Sequence, residues 1–268
     1  MQSTHLPAAG GHLRRIDIPG EGPARVYLHG LGCAGSADFA EIAAHPGLYG
    51  GRSLVVDLLG HGFSDRPKDF PGTLEAHAET VAAVLDDCGI ADAVLIGHSM
   101  GGALAIVLAA TRPDLVSRLV VAEPNLRAGG GLYSGAIAAY REDDFVSHGF
   151  RTVLETLEPD YAARFRAADP AILHRSAVSL VRGTTPGTAE LFYGLPQPKV
   201  MLIGTRSRPY ADEPAVRQAG IPVVEVPDAG HHMMRDNPEG FVAALVESGA
   251  GPVVSGERGG SRSERVGS

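Results

Sequence analysis

Residues 93–112 read AVLIGHSMGGALAIVLAATR, and the order of residue types in this stretch decides the fold. The wholly apolar run AVLIG at 93–97 predicts a strand buried on both faces. A glycine-flanked serine follows in Gly97-His98-Ser99-Met100-Gly101, with a further Gly102 behind it. An apolar helix is predicted from about residue 100 to 112, stopped before Pro113. A strand-to-helix turn of this kind strains the serine backbone and is tolerable only where flanking positions carry almost no side chain. The Ser99 hydroxyl then projects above the sheet, and the helix N-terminus behind it favours developing negative charge.

Outward from this turn, short apolar runs alternate with helical patterns. ARVYL (24–28) ends in His-Gly, and SLVVDLL (53–59) leads into the turn residues Gly60, Gly62 and Ser64. Residues 73–88 carry Leu74, Val81, Val84 and Leu85 at helical spacing, with Thr73 placed to cap the start and Gly89 to end the helix. RLVVAE (118–123), KVMLIG (199–204) and IPVVEVP (221–227) continue the strand pattern, and a last helix is expected over 238–248. Strands of this kind between helices predict an α/β chain with a mostly parallel sheet covered on both faces. Between 124 and 198 the pattern breaks into shorter helical pieces after Gly129-Gly130-Gly131, which predicts a helical lid inserted above the carboxyl edge of the sheet. The core is then 1–123 with 199–248. The tail 249–268, rich in Gly, Ser and Arg, is expected to be disordered.

The length of 268 residues and an apolar fraction of 44% suit one large core. A net charge of −8, with no Lys/Arg cluster to offset it, argues against a nucleic-acid partner. No window approaches 18 uninterrupted apolar residues, so no membrane partner is expected. The N-terminus lacks the basic and apolar regions of an export signal, and Cys33 and Cys88 read as free thiols of a reducing, cytoplasmic compartment. No metal-ligand spacing is present, and no cofactor is expected.

A serine hydroxyl needs a base. Of the 11 histidines, His231 is the candidate by position, in VPDAGHHMMRDNPEGF at the mouth of a loop after the last strand, with His232 its neighbour and rival. His98 and His61 read as structural. His29 in HGLG shapes the loop after its strand and is a tentative substrate contact. The oxyanion donors are expected to be the backbone N–H groups of Met100, just after the nucleophile, and of Leu31.

HGLG (29–32), DLLGHGFSDRP (57–67), GHSMGG (97–102) and AGHHMMRDNPEGF (229–241), in this order and spacing, resemble the α/β-hydrolase superfamily. The resemblance reaches to about residue 248 and implies the α/β-hydrolase fold. It also favours His231 over His232, because the family's base follows Ala-Gly. The serine sets the chain apart from the haloalkane dehalogenases and epoxide hydrolases of this fold, which place Asp at the elbow. The triad acid departs from the commonest pattern: relatives place an Asp a few residues after the strand matching VMLIG, where this chain reads GTRSRPY with Ser207 at that place. A subset of the family takes the acid from the end of the preceding strand, which here is Glu123. A carboxylate there needs a partner, since leaving it buried and unpaired costs several kcal/mol. Asp212 and Glu213 are the alternatives, with Asp228 more remote.

These readings imply two-step acyl transfer on a small or medium carboxylic ester or lactone, without cofactor or metal, by Ser99, His231 and Glu123. Tyr133, Tyr140 and Phe145 are tentative substrate contacts from the lid, and Phe150, Tyr161 and Phe165 are further aromatics able to line a pocket. Two other readings stay open. One is C–C hydrolysis, lyase or cyclase chemistry with the same triad, and the other is a ligand-binding member of the fold. Oligomeric state is not legible.

Overall fold

The structure, a computed structural model, describes residues 1–251. Eight strands form one sheet: β1 (Gln2–Leu6), β2 (Gly11–Ile18), β3 (Glu21–Leu28), β4 (Gly51–Asp57), β5 (Ala93–His98), β6 (Val116–Ala122), β7 (Lys199–Gly204) and β8 (Val223–Val226). Their order is β1-β2-β4-β3-β5-β6-β7-β8. β2 runs antiparallel to both β1 and β4, and every other neighbouring pair is parallel. This is the α/β-hydrolase fold.

The strand pattern follows from alternation within apolar runs. Val26, Leu28, Leu54, Val56, Leu95, Leu119, Val121, Met201 and Ile203 enter one core. Their neighbours Tyr27, Val55, Val94, Ile96, Val120, Ala122, Val200 and Leu202 enter the core on the opposite face. Helices Leu74–Asp87 and Met100–Thr111 cover the first face, and helix Pro238–Leu245 with Phe39 and Leu48 covers the second. Thr73 caps its helix by accepting from the Ala76 N–H at 3.2 Å, and Gly89 takes the positive φ of 63° that ends it. Helix Met100–Thr111 is apolar all round, and residues 100–109 are all buried. A helix so enclosed loses ~2–5 kcal/mol when one of its leucines is cut to alanine.

β1 and β2 escape the sequence reading. β2 carries Arg14, Arg15 and Asp17 among its apolar residues, and burial alternates only at Gly11, Leu13 and Arg15. Arg15 is buried because its guanidinium bonds the Thr4 hydroxyl across the pair, at 2.5 Å.

The direction in which successive strands are laid across the sheet reverses between β3 and β5. β3 leads leftward to β4, while β5 leads rightward to β6, so the loops leaving these adjacent strands diverge and open a crevice at their carboxyl ends. Between β6 and β7 lie seven helical pieces, of which Leu132–Ala138, Pro159–Phe165 and Pro170–Arg182 are used below. Asp169 caps the longest, accepting from the N–H groups of Ala171 and Ile172 at 3.0 Å each.

The tail begins later than its composition suggests. Ala250 is buried, Arg118 bonds the Ser248 carbonyl at 3.1 Å, and Arg25 reaches the Ala250 carbonyl at 3.4 Å. Two buried or half-buried arginines thus tie residues 248–250 to the sheet. The remainder of the expected disordered tail lies outside the described residues. Among the described residues no helix is long and apolar enough to cross a membrane.

Candidate active site

The turn after β5 puts Ser99 at φ 53° and ψ −117°, outside the regions open to ordinary side chains. The Ser99 N–H donates to the Ala122 carbonyl of β6 at 2.9 Å, which fixes this backbone. Neighbouring glycines are required by space. A Cβ on Gly101 would lie 2.1 Å from the Leu28 carbonyl oxygen, and one on Gly97 would lie 2.3 Å from that of Gly101.

Glu123 directly follows β6, also at positive φ (42°). Its backbone N–H donates to Leu202 of β7 at 3.1 Å, and its side chain is 2% exposed. Two bonds satisfy the carboxylate: Oε1 accepts from the Gly204 N–H at 3.0 Å, and Oε2 accepts from His231 Nδ1 at 2.7 Å. Burial alone would raise the Glu123 carboxyl; the His231 bond and charge, the Ser207 hydroxyl and the Gly204 N–H outweigh it and hold the group below the ordinary carboxylate range. A carboxylate accepts only, so the neutral His231 ring carries its proton on Nδ1 and keeps Nε2 as a lone pair. Asp212 instead pairs with Arg127 at 2.5 Å, and Glu213 with Arg208 and Arg217 at 2.5 and 2.9 Å. Asp228 stands at a turn where its own N–H bonds Thr205.

Ser99 and His231 line the same cavity of about 640 Å³, beneath the inserted helices. The Ser99 hydroxyl contacts Asn125 Oδ1 at 3.4 Å. Leu31 forms part of the wall, and Met100 opens its helix, where the first-turn N–H groups have no intrahelical acceptor. His232 lines the wall beside the Tyr161 ring; burial, with the charges of His231 and Arg164 added, lowers it to about 4, so it stays neutral. His98, also buried and held well below its ordinary value, bonds the His231 carbonyl through Nε2 at 2.7 Å.

Of the tentative substrate contacts, the structure brings only Tyr133 to this cavity. His29 is fully buried with both ring nitrogens engaged: Nδ1 donates to the Gly30 carbonyl at 2.8 Å and Nε2 accepts from the Leu58 N–H at 3.1 Å. It is corrected to a residue that shapes the loop. Tyr140 and Phe145 are corrected likewise, since their rings pack on each other (5.8 Å) and Phe145 on His174 (5.6 Å) within the insertion's own core. Tyr161 lines the cavity, whereas Phe165 is fully buried. Asn125 and Tyr210 line it too and were missed; Asn125 stands two residues after Glu123 in the same loop, the one signal that pointed to it. Among the described residues no group of three or more His, Cys, Asp or Glu side chains is arranged to hold a metal ion.

Comparison with known proteins agrees with this fold. The chain is 41% identical over 102 residues to an sn-1-specific diacylglycerol lipase of Mus musculus, covering 38% of this chain and 32% of the lipase. It is 33% identical over 113 residues to a 2-hydroxymuconate semialdehyde hydrolase of Pseudomonas putida, covering 42% and 40%. The chain thus spans about a third of the length of the curated relatives it matches. The enol-lactonase of Burkholderia xenovorans LB400 shares the fold, with a TM-score of 0.75 at 22% identity over 90% of this chain and 97% of that one. The model of the alpha/beta hydrolase family matches residues 26–244. With that match over most of its length, the chain belongs to the alpha/beta hydrolase family.

Proposed function

We propose that the protein is a serine hydrolase that cleaves a small or medium carboxylic ester or lactone through Ser99, His231 and Glu123. The observation that carries this reading is the 2.7 Å bond from His231 Nδ1 to Glu123, on a ring that shares its cavity with Ser99. Ser99 Oγ attacks the carbonyl carbon while His231 Nε2 takes its proton, and Glu123 stabilises the imidazolium that results. Leu31 and Met100 are the backbone donors to the oxyanion. His231 then gives the proton to the leaving alkoxide. A water molecule, deprotonated in turn by His231, releases the acid from the acyl-Ser99 ester. In a lactone the leaving alkoxide stays tethered, and one hydroxy acid is the product.

The relatives named above carry lipase and hydrolase names, which supports hydrolytic chemistry without fixing the substrate. A small-molecule substrate fits a cavity of this volume and a chain with net charge −8. A fluorophosphonate probe tests the nucleophile: wild type labels, Ser99→Ala does not, and both melt at similar temperatures. Folded wild type that fails to label overturns the reading. A panel of aryl esters, lactones and a β-diketone then separates acyl transfer from C–C cleavage.

A further inference from the structure

Helix Pro159–Phe165 of the insertion grips the loop that follows β3. That loop is a tight turn, with the Cys33 N–H donating to the Gly30 carbonyl at 3.2 Å. Gly32, third in the turn, has φ +67°, while Leu31 before it is not among the positive-φ residues, which makes the turn type II. The Leu31 N–H lies in the preceding Gly30–Leu31 peptide, so the Leu31 carbonyl and the candidate donor are the two ends of one residue. The Tyr161 hydroxyl donates to the Leu31 carbonyl at 2.7 Å in a buried bond. From the same helix Phe165 closes over Gly32, where an added Cβ would lie 2.5 Å from its ring.

The grip is anchored. Arg164 pairs with Asp38 at 3.0 Å, with side chains 6% and 0% exposed, and continues to Asp160 at 2.5 Å. Asp160 in turn meets Arg235 at 3.1 Å, on helix Met233–Asp236 just past His231. The helix is therefore tied to the loops on both sides of Ser99.

We propose that Tyr161 is a positioning residue for oxyanion binding: its hydroxyl holds the Leu31 carbonyl and so fixes, from the insertion side, the residue whose N–H is the donor. This rests on the serine-hydrolase reading above. A donor stabilises the transition state only if it already points at the place where charge appears. A Leu31 free to shift spends part of its time with its N–H misaligned, and the loss falls on the tetrahedral state rather than on ground-state binding.

Tyr161→Phe removes one oxygen and keeps the ring packing against His232 and Tyr133. With an aryl ester, kcat falls about tenfold while KM stays within about twofold. Affinity for an alkyl boronic acid, which forms a tetrahedral adduct on Ser99, weakens by the same factor, and affinity for the product carboxylate does not change. Unchanged kcat and boronic-acid affinity in Tyr161→Phe overturn the proposal. So does equal weakening of boronic acid and product carboxylate, which makes Tyr161 a direct substrate contact. Failure of wild type to take the boronic acid or the fluorophosphonate condemns the hydrolase reading instead.

Discussion

The His98 ring, one residue before the proposed nucleophile Ser99, holds the backbone of the proposed base: its Nε2–H donates to the His231 carbonyl at 2.7 Å. A carbonyl only accepts, so the proton of this neutral imidazole sits on Nε2. The two ring centroids are 4.6 Å apart. His98→Ala is therefore expected to lower kcat about tenfold, and to lower stability by ~1–3 kcal/mol through the lost bond and packing. His98→Asn, which keeps a shorter donor, recovers part of both. Steady-state kinetics with urea melts of the two variants provide the check.

Glu123→Gln keeps the shape and removes the charge that, in the proposed mechanism, stabilises the His231 imidazolium. An expected fall in kcat of ~10²–10⁴-fold follows from the comparable Asp-to-Asn change in a serine protease triad. Asp212→Asn and Glu213→Gln leave kcat within about threefold, because their carboxylates answer arginines rather than His231. Initial rates on one ester rank the three, and a larger loss in either of the latter would move the acid to the β7 side.

Gly101→Ala tests the packing of the elbow. Its Cβ would stand 2.1 Å from the Leu28 carbonyl oxygen, a backbone atom of β3 that cannot swing aside. Overpacking of this kind costs ~1–3 kcal/mol or more, and fluorophosphonate labelling should slow as the elbow shifts. A denaturant midpoint equal to wild type would disprove the contact.

His29, His61 and His77 form a fully buried row with ring centroids 5.2 and 6.1 Å apart. Burial holds all three below the ordinary imidazole range, His29 to about 4 and His61 to about 3. The unfolded chain protonates these groups near pH 6.5 while the folded chain resists, so their stabilising effect is full above 6.5 and declines as pH falls toward 4. Each contributes a slope of up to ~1.4 kcal/mol per pH unit in that window. Urea melts at pH 7, 6 and 5 should show the loss, and His61→Leu should flatten it.

Legibility varied with how much of the physics was local. The elbow and its flanking elements were readable because strand, glycine and helix signals coincide within twenty residues. β7 matches KVMLIG residue for residue, since a strand buried on both faces is continuously apolar. β1 and β2 were not readable, because their buried Arg15 is satisfied by a partner strand that no local pattern reveals. The same holds for the cavity wall. Tyr140 and Tyr161 are the same residue type within the same insertion, yet one packs among insertion side chains and the other bonds Leu31, a residue 130 positions away.

Placing the carboxylate at the end of β6 has a consequence for β7. In this arrangement His231 draws its partner from the strand next to the nucleophile's own, and Ser207 is left as an accessory to Glu123. The loop after β7 still supplies cavity wall through Tyr210, Ala211 and Asp212. In the proposed mechanism Gly204 and Ser207 steady the acid from that side, while the wall positions 210–212 carry no part of the triad and can be recoloured by mutation with the Glu123–His231 bond intact.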